Sequence, residues 1–285
     1  RTYGVQEAPI LKLMTESEVP KGAIDLGQGV PFYGPPKEAV LAAAEALDTE
    51  SGFKYSHDAG IRSLREAIAH KLALENGVDA DADRNLMVTA GANQAFTNTI
   101  LCTTRPGDQI ILLAPYYFNH VMAIQLAGCK PVIVDTGSDY QPIVGRISEK
   151  LTKRTRAIVL VSPNNPTGAV YGANHIEETS RLCADEGVYL VTDETYEHFV
   201  YDDAQHVSAL KFDRGIEHTI SLYSFSKSYG MAGYRIGYAV FPDSLYNEML
   251  KVQDTVAICP PSPLQFAAEA AMKLGSTYAR RFIPT

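Results

Sequence analysis

The sequence predicts an α/β fold, in which a mainly parallel sheet of seven strands is covered by helices on both faces, with part of a smaller domain attached. Two observations predict it. Seven short β-branched runs alternate with amphipathic helical stretches through the middle of the chain, the order that builds strand–helix–strand units. Several of those runs are apolar without interruption, as strands buried on both faces must be.

In chain order, strands are predicted at Leu86–Thr89, Gln109–Leu113, Pro131–Val134, Ala157–Val161, Val188–Thr192, Thr219–Tyr223 and Arg235–Val240. Helices are predicted between them at Asn93–Thr104, Tyr117–Ala127, Gly145–Thr152, Gly172–Glu186 and Asp243–Asp254. The earlier segment Gly27-Gln28-Gly29-Val30-Pro31-Phe32-Tyr33-Gly34-Pro35-Pro36 is rich in glycine and proline. It reads as an ordered loop, followed by a helix from near Lys37. The organisation expected is an N-terminal arm with part of a small domain over residues 1–49, a large domain over 50–260, and the start of a further small-domain segment over 261–285. The chain opens on Arg1 and stops at Pro284-Thr285, just after a helix-like stretch, so both ends are expected to be trimmed.

With 285 residues, 46% of them hydrophobic and 20% charged, the chain can bury a sizeable core. A formal net charge of -8 argues against nucleic acid or an anionic membrane surface as partner. An anionic ligand must therefore be held by a local site. Cys102, Cys129, Cys183 and Cys259 have neither metal-ligand nor redox-pair spacing. They read as free thiols in a reducing, cytoplasmic setting. No secretory signal is visible, and no apolar run approaches the roughly 20 residues of a membrane span.

Ligands of open α/β sheets bind beyond the carboxyl ends of strands, so the residues just after each predicted strand matter most. Ser224-Phe225-Ser226-Lys227-Ser228-Tyr229-Gly230 sets a lysine between serines. Its amine can attack an aldehyde once burial or a cationic neighbour suppresses its charge. The serines and Arg235 can hold phosphate oxygens. Asp193-Glu194-Thr195-Tyr196 ends another strand. A buried acid there needs a partner such as a pyridinium nitrogen, although Asp193 alone reads as well as a helix N-cap. Ser162-Pro163-Asn164-Asn165-Pro166-Thr167-Gly168 is a proline-stiffened turn that can hold one side chain in one direction. Ala90-Gly91-Ala92-Asn93 has the small residues that let a helix N-terminus approach a phosphate. Tyr116, Tyr117 and Phe118 could stack on a flat ring or simply pack.

Taken in order, these motifs resemble the class I/II aminotransferase family, the aspartate-aminotransferase-like enzymes of fold type I that use pyridoxal 5'-phosphate. The similarity runs from about Leu26 to Gly237. The Ser-Phe-Ser-Lys-Ser-Tyr-Gly-Met-Ala-Gly-Tyr-Arg segment is most similar to the aromatic, methionine and kynurenine types. The resemblance implies a ping-pong transfer of an amino group between an L-amino acid and a 2-oxo acid. It implies Lys227 as the Schiff-base lysine and proton shuttle, and Asp193 beside the pyridine nitrogen. Tyr196 and Asn165 would bond the ring oxygen, and Tyr117 would stack on the ring. Ala92, Asn93, Ser224, Ser226 and Arg235 would hold the phosphate. Tyr55 would reach the phosphate of a neighbouring subunit, which implies a homodimer with shared sites. Gly29 and Asn165 would contact substrate. The arginine that clamps the substrate carboxylate in this family would lie beyond residue 285, and Arg280 and Arg281 do not occupy its motif. An aspartate-type donor, or a carbon–sulfur β-lyase on the same scaffold, stays open. A nucleotide site does not fit, because Gly27-Gln28-Gly29 lacks the full glycine fingerprint.

Overall fold

The computed structural model describes residues 2–16, 20, 22–24, 27 and 29–283. Arg1, Leu26, Gln28 and Pro284-Thr285, named above, lie outside the described residues. The strands are β1 (Leu86–Thr89), β2 (Gln109–Ala114), β3 (Lys130–Asp135), β4 (Thr155–Val161), β5 (Tyr189–Asp193), β6 (Thr219–Ser224) and β7 (Gly237–Val240). The helices are α1 (Pro9–Glu16), α2 (Lys37–Leu47), α3 (Glu50–Phe53), α4 (Arg62–Lys71), α5 (Ala92–Thr103), α6 (Phe118–Leu126), α7 (Val144–Ser148), α8 (Ala173–Glu186), α9 (Phe225–Ser228), α10 (Tyr246–Val256), α11 (Ser262–Met272) and α12 (Thr277–Arg280).

The strands form one seven-stranded sheet in the order β1-β7-β6-β5-β4-β2-β3. All neighbours run parallel except β7, which is antiparallel to both β1 and β6. Alternate residues of each strand face opposite layers. Ile110, Leu112, Val159 and Val191 pack with Phe96 and Ile100 of α5, Val121 and Ile124 of α6 and Met249 of α10. Ile111, Leu113, Ile158, Leu160 and Leu190 pack on the other side with Ile147 of α7 and Ile176 and Cys183 of α8. Both faces are thus covered, which is why the runs read as continuously apolar. A further cluster joins Ala39 of α2, Leu64 and Ile68 of α4 and Ala267 and Ala271 of α11 to Leu86, Val88, Tyr238 and Val240 of the sheet.

Helices α1, α3, α4 and α11 were not expected, most predicted ends shift by a residue or two, and three differences bear on the architecture. The strand predicted from Arg235 starts at Gly237, because Arg235 takes a left-handed backbone with φ 55° and turns out of the strand. The helix predicted from Asp243 begins with a 3-10 turn, and its α-helical part spans Tyr246–Val256. The helix predicted over Gly145–Thr152 closes after Ser148. Among the described residues no helix is long and apolar enough to cross a membrane.

Gly237 sets how closely α5 approaches the sheet. A Cβ there would lie 2.6 Å from Tyr223 O and 2.8 Å from Ala92 N, all rigid backbone. Gly237→Ala is expected to destabilise the fold by about 1–3 kcal/mol through overpacking. Gly145→Ala, whose Cβ meets open space in α7, should not. Chemical denaturation of the two variants checks this, and equal midpoints would contradict it.

Candidate active site

The carboxyl ends of β4, β5 and β6 and the start of α5 bring the predicted residues together. Ser224 caps the short helix α9, its Oγ accepting the Ser226 N–H at 3.1 Å. This turn carries Lys227, which is half-buried. The Lys227 amine donates to Gly29 O and lies 5.9 Å from the centre of the Tyr196 ring. Burial first, and then the nearby Arg235 charge, push the amine below the ordinary lysine range. A larger share of neutral amine is what a nucleophile or proton acceptor needs.

Asp193 ends β5 and is 6% exposed. Its Oδ2 lies 3.2 Å from His120 Nε2, and its Oδ1 accepts the Thr195 N–H at 3.1 Å. Burial alone would raise this carboxyl. The hydrogen bond and charge of His120, together with the Thr195 donors, outweigh burial and hold it below the ordinary carboxylate range. His120 was not foreseen from the sequence. Its position three residues after Tyr117, one helical turn along, is the only signal that could have singled it out. Its ring stacks on Phe96 at 4.0 Å and meets Tyr117 edge-on at 5.2 Å.

Tyr196 links the two halves of the site. Its hydroxyl receives the Asn165 amide at 3.5 Å. Burial, then the charge of Asp193, push its hydroxyl up to about 12, so it keeps its proton to donate. The neighbouring Asn164 faces inward instead. Its Oδ1 accepts from the Thr167 N–H at 3.1 Å and the Thr167 hydroxyl at 2.9 Å, locking the turn that aims Asn165. Tyr117 is hydrogen-bonded to Asn93, and burial raises its hydroxyl.

Arg235 reaches Ser226 Oγ at 3.4 Å, Ala232 O at 2.9 Å and Ala90 O at 3.4 Å. A Cβ on Gly91 would sit 2.6 Å from Arg235 Nη2, and Gly91 has φ 82°. The glycine therefore opens a cradle between Arg235 and the first turn of α5, which starts at Ala92 and Asn93. First-turn N–H groups have no partner within their own helix. A guanidinium, a hydroxyl and these N–H groups are all donors, the set that suits a phosphate. The donors at one end and the buried carboxylate at the other fit pyridoxal phosphate.

Other residues fall elsewhere. Tyr55 is 79% exposed between α3 and α4, and no described hydrogen bond or ring contact joins it to the Lys227 cluster. Tyr116 packs against the core beneath α5 and α6. Tyr33 stacks on Phe282 at 4.0 Å, and its hydroxyl donates to Lys227 O at 2.9 Å.

The family described as aminotransferase class I and II matches residues 21–279. An aspartate aminotransferase of Pyrococcus abyssi is 35% identical over 271 residues, covering 94% of this chain and 69% of its own length. An aromatic-amino-acid aminotransferase of Thermococcus litoralis is 34% identical over 271 residues, with 94% and 69% covered. The crystal structure of a Pyrococcus protein, A1, superposes with a TM-score of 0.91 at 35% identity, covering 98% of this chain and 72% of that one. The chain belongs to the aminotransferase class I and II family, and its chemistry is that of a pyridoxal-phosphate-dependent transaminase.

Proposed function

We propose that this transaminase prefers aromatic or methionine-like amino donors and that Lys227 is its catalytic base. The observation that carries the assignment of the base is the half-buried Lys227 amine, lowered by burial and Arg235 and set over Tyr196. When bound, pyridoxal phosphate supplies an aldehyde and an electron-withdrawing ring that weakens the substrate Cα–H bond. Arg235, Ser224, Ser226 and the first-turn N–H groups at Ala92 and Asn93 would hold its phosphate. Tyr117 would lie against its ring. Asp193, kept ionised by His120 and Thr195, would hold the ring nitrogen charged. Tyr196, oriented by Asn165, would donate its hydroxyl proton to the ring oxygen. Lys227 Nζ takes the Cα proton and later returns it, with Gly29 and Asn165 beside the substrate.

The sheet and its flanking helices, residues 50–260, form the cofactor-binding unit in this reading. The exposure of Tyr55 supports a homodimer in which it serves the partner's site. The thiols of Cys102, Cys183 and Cys259 support a reducing, cytoplasmic setting.

The aromatic preference rests on the rings around Lys227, with Tyr33 bonded to its carbonyl and Tyr196 facing its amine, and on Tyr117 close enough to Tyr196 to raise its hydroxyl. The rival is an aspartate-type donor, which the name of the Pyrococcus abyssi relative favours. A second carboxylate would call for a second arginine. A panel of donors with 2-oxoglutarate as acceptor decides. Phenylalanine, tyrosine or methionine is expected to exceed aspartate in kcat/KM by about tenfold or more. The opposite order would give the site to the dicarboxylate.

A further inference from the structure

Behind Lys227 runs a hydrogen-bonded chain that none of the roles above uses. Ser228 is 2% exposed, and its Oγ lies 3.0 Å from His198 Nδ1. His198 Nε2 lies 3.1 Å from Glu75 Oε2. Glu75 Oε1 accepts the Ser276 N–H at 2.8 Å. Burial would raise the Glu75 carboxyl. Hydrogen bonds from His198 and the Ser276 N–H, with the charges of Lys71 and His198, instead bring it down to about 2. A carboxylate only accepts, so His198 Nε2 must carry hydrogen and Nδ1 faces the Ser228 hydroxyl. Among the described residues Glu197 also faces His198, 4.0 Å away, and is itself paired with Lys71.

Hydroxyl, imidazole and carboxylate in this order have the geometry of a nucleophilic triad. Ser228 is too buried to meet a substrate, so acyl transfer is ruled out here. Its place next to Lys227 gives the chain another use. Helix α9 has four residues, too few to hold its own shape. The C-terminal segment also reaches Lys227 by a second route. Tyr278 donates to Gly34 O at 2.7 Å, Phe282 stacks on Tyr33, and Tyr33 donates to Lys227 O. Residues 276–282 therefore bracket the Lys227–Ser228 pair from two sides.

We propose that His198 is a positioning residue: with Glu75 and Ser228 it fixes the α9 turn, so that the Lys227 amine meets the reacting carbon in one orientation set by the seating of residues 276–282. This rests on the reading of Lys227 as the base. A misplacement of about 1 Å costs up to roughly a hundredfold in rate, so a hydrogen bond one residue from the amine can control turnover without touching substrate.

The test uses the cofactor-loaded protein. Ser228→Ala and His198→Gln are each expected to lower kcat about tenfold while KM moves by less than about twofold. Each should also shift the pH midpoint of the bound cofactor's visible absorbance, which reports the Lys227 proton. The double variant should lose no more than either single one, because one chain is broken in all three. Glu75→Gln keeps the shape and removes the charge, so it remains informative if Ser228→Ala fails to fold. It should lower kcat about threefold in the same manner. Unchanged kcat and absorbance midpoint in the folded variants, or losses that add, would overturn the positioning role alone. Retained turnover in Lys227→Ala would overturn the reading of the base, and this proposal with it.

Discussion

Lys227→Ala is expected to abolish transamination, lowering kcat by at least about 10⁴-fold. In the proposed reading the lysine carries both the amine that joins the aldehyde and the base that moves the Cα proton, and Ala leaves neither. Burial and Arg235 lower this amine, so free Lys in solution cannot replace it in the same protonation state. The proposed phosphate donors Arg235, Ser226 and the start of α5 remain, so the variant should still take up cofactor while its bound absorbance loses the lysine-dependent band. A single-turnover measurement of 2-oxo acid release with a saturating donor reads the loss. Release at a rate within tenfold of the parent protein would remove Lys227 from the mechanism.

Asp193→Asn is expected to keep the cofactor and lose about 10²–10³-fold in kcat, the scale of a preorganised charge removed from a developing one. The amide preserves shape and one acceptor but cannot hold the ring nitrogen charged. The substitution also strips His120 of its ionised partner, 3.2 Å away. A destabilisation of about 1–3 kcal/mol should follow. The sign with pH is fixed by the lowered carboxyl. A depressed folded value stabilises the protein above the unfolded value, about 3.9, and that contribution is lost as pH falls through the folded value. The gap in stability between parent and Asn variant should thus be full near neutrality and shrink under acid. Steady-state kinetics and denaturation at two pH values check both parts. Unchanged kinetics would end the electrostatic role.

The sheet was legible because each strand is a short apolar run between helical stretches, and burial on both faces leaves that mark on residues such as Ile110 to Leu113. The reversal of β7 was not legible, since its composition suits either direction. Its start was misread because Arg235 looks strand-like beside Ile236. Only the structure shows the left-handed turn that sends the guanidinium towards Gly91 and Ser226. Lys227, Asp193, Tyr196 and Asn165, the residues of the proposed site, could be singled out because each ends a strand or follows a strand end, where an α/β sheet presents its ligands. The choice between Asn164 and Asn165 could not be read from composition and is set by the inward bonds of Asn164 to Thr167. His120 and Glu75 escaped because they meet Asp193 and His198 across 73 and 123 residues of chain respectively. Such pairings exist only once the sheet has formed.

One amine, at Lys227, is proposed to join the cofactor. Borohydride reduction of the cofactor-loaded protein, followed by proteolysis and mass spectrometry, tests it directly. A single pyridoxyl adduct on the peptide containing Ser226-Lys227-Ser228 is predicted. An adduct on any other lysine, or none on this peptide, would contradict it.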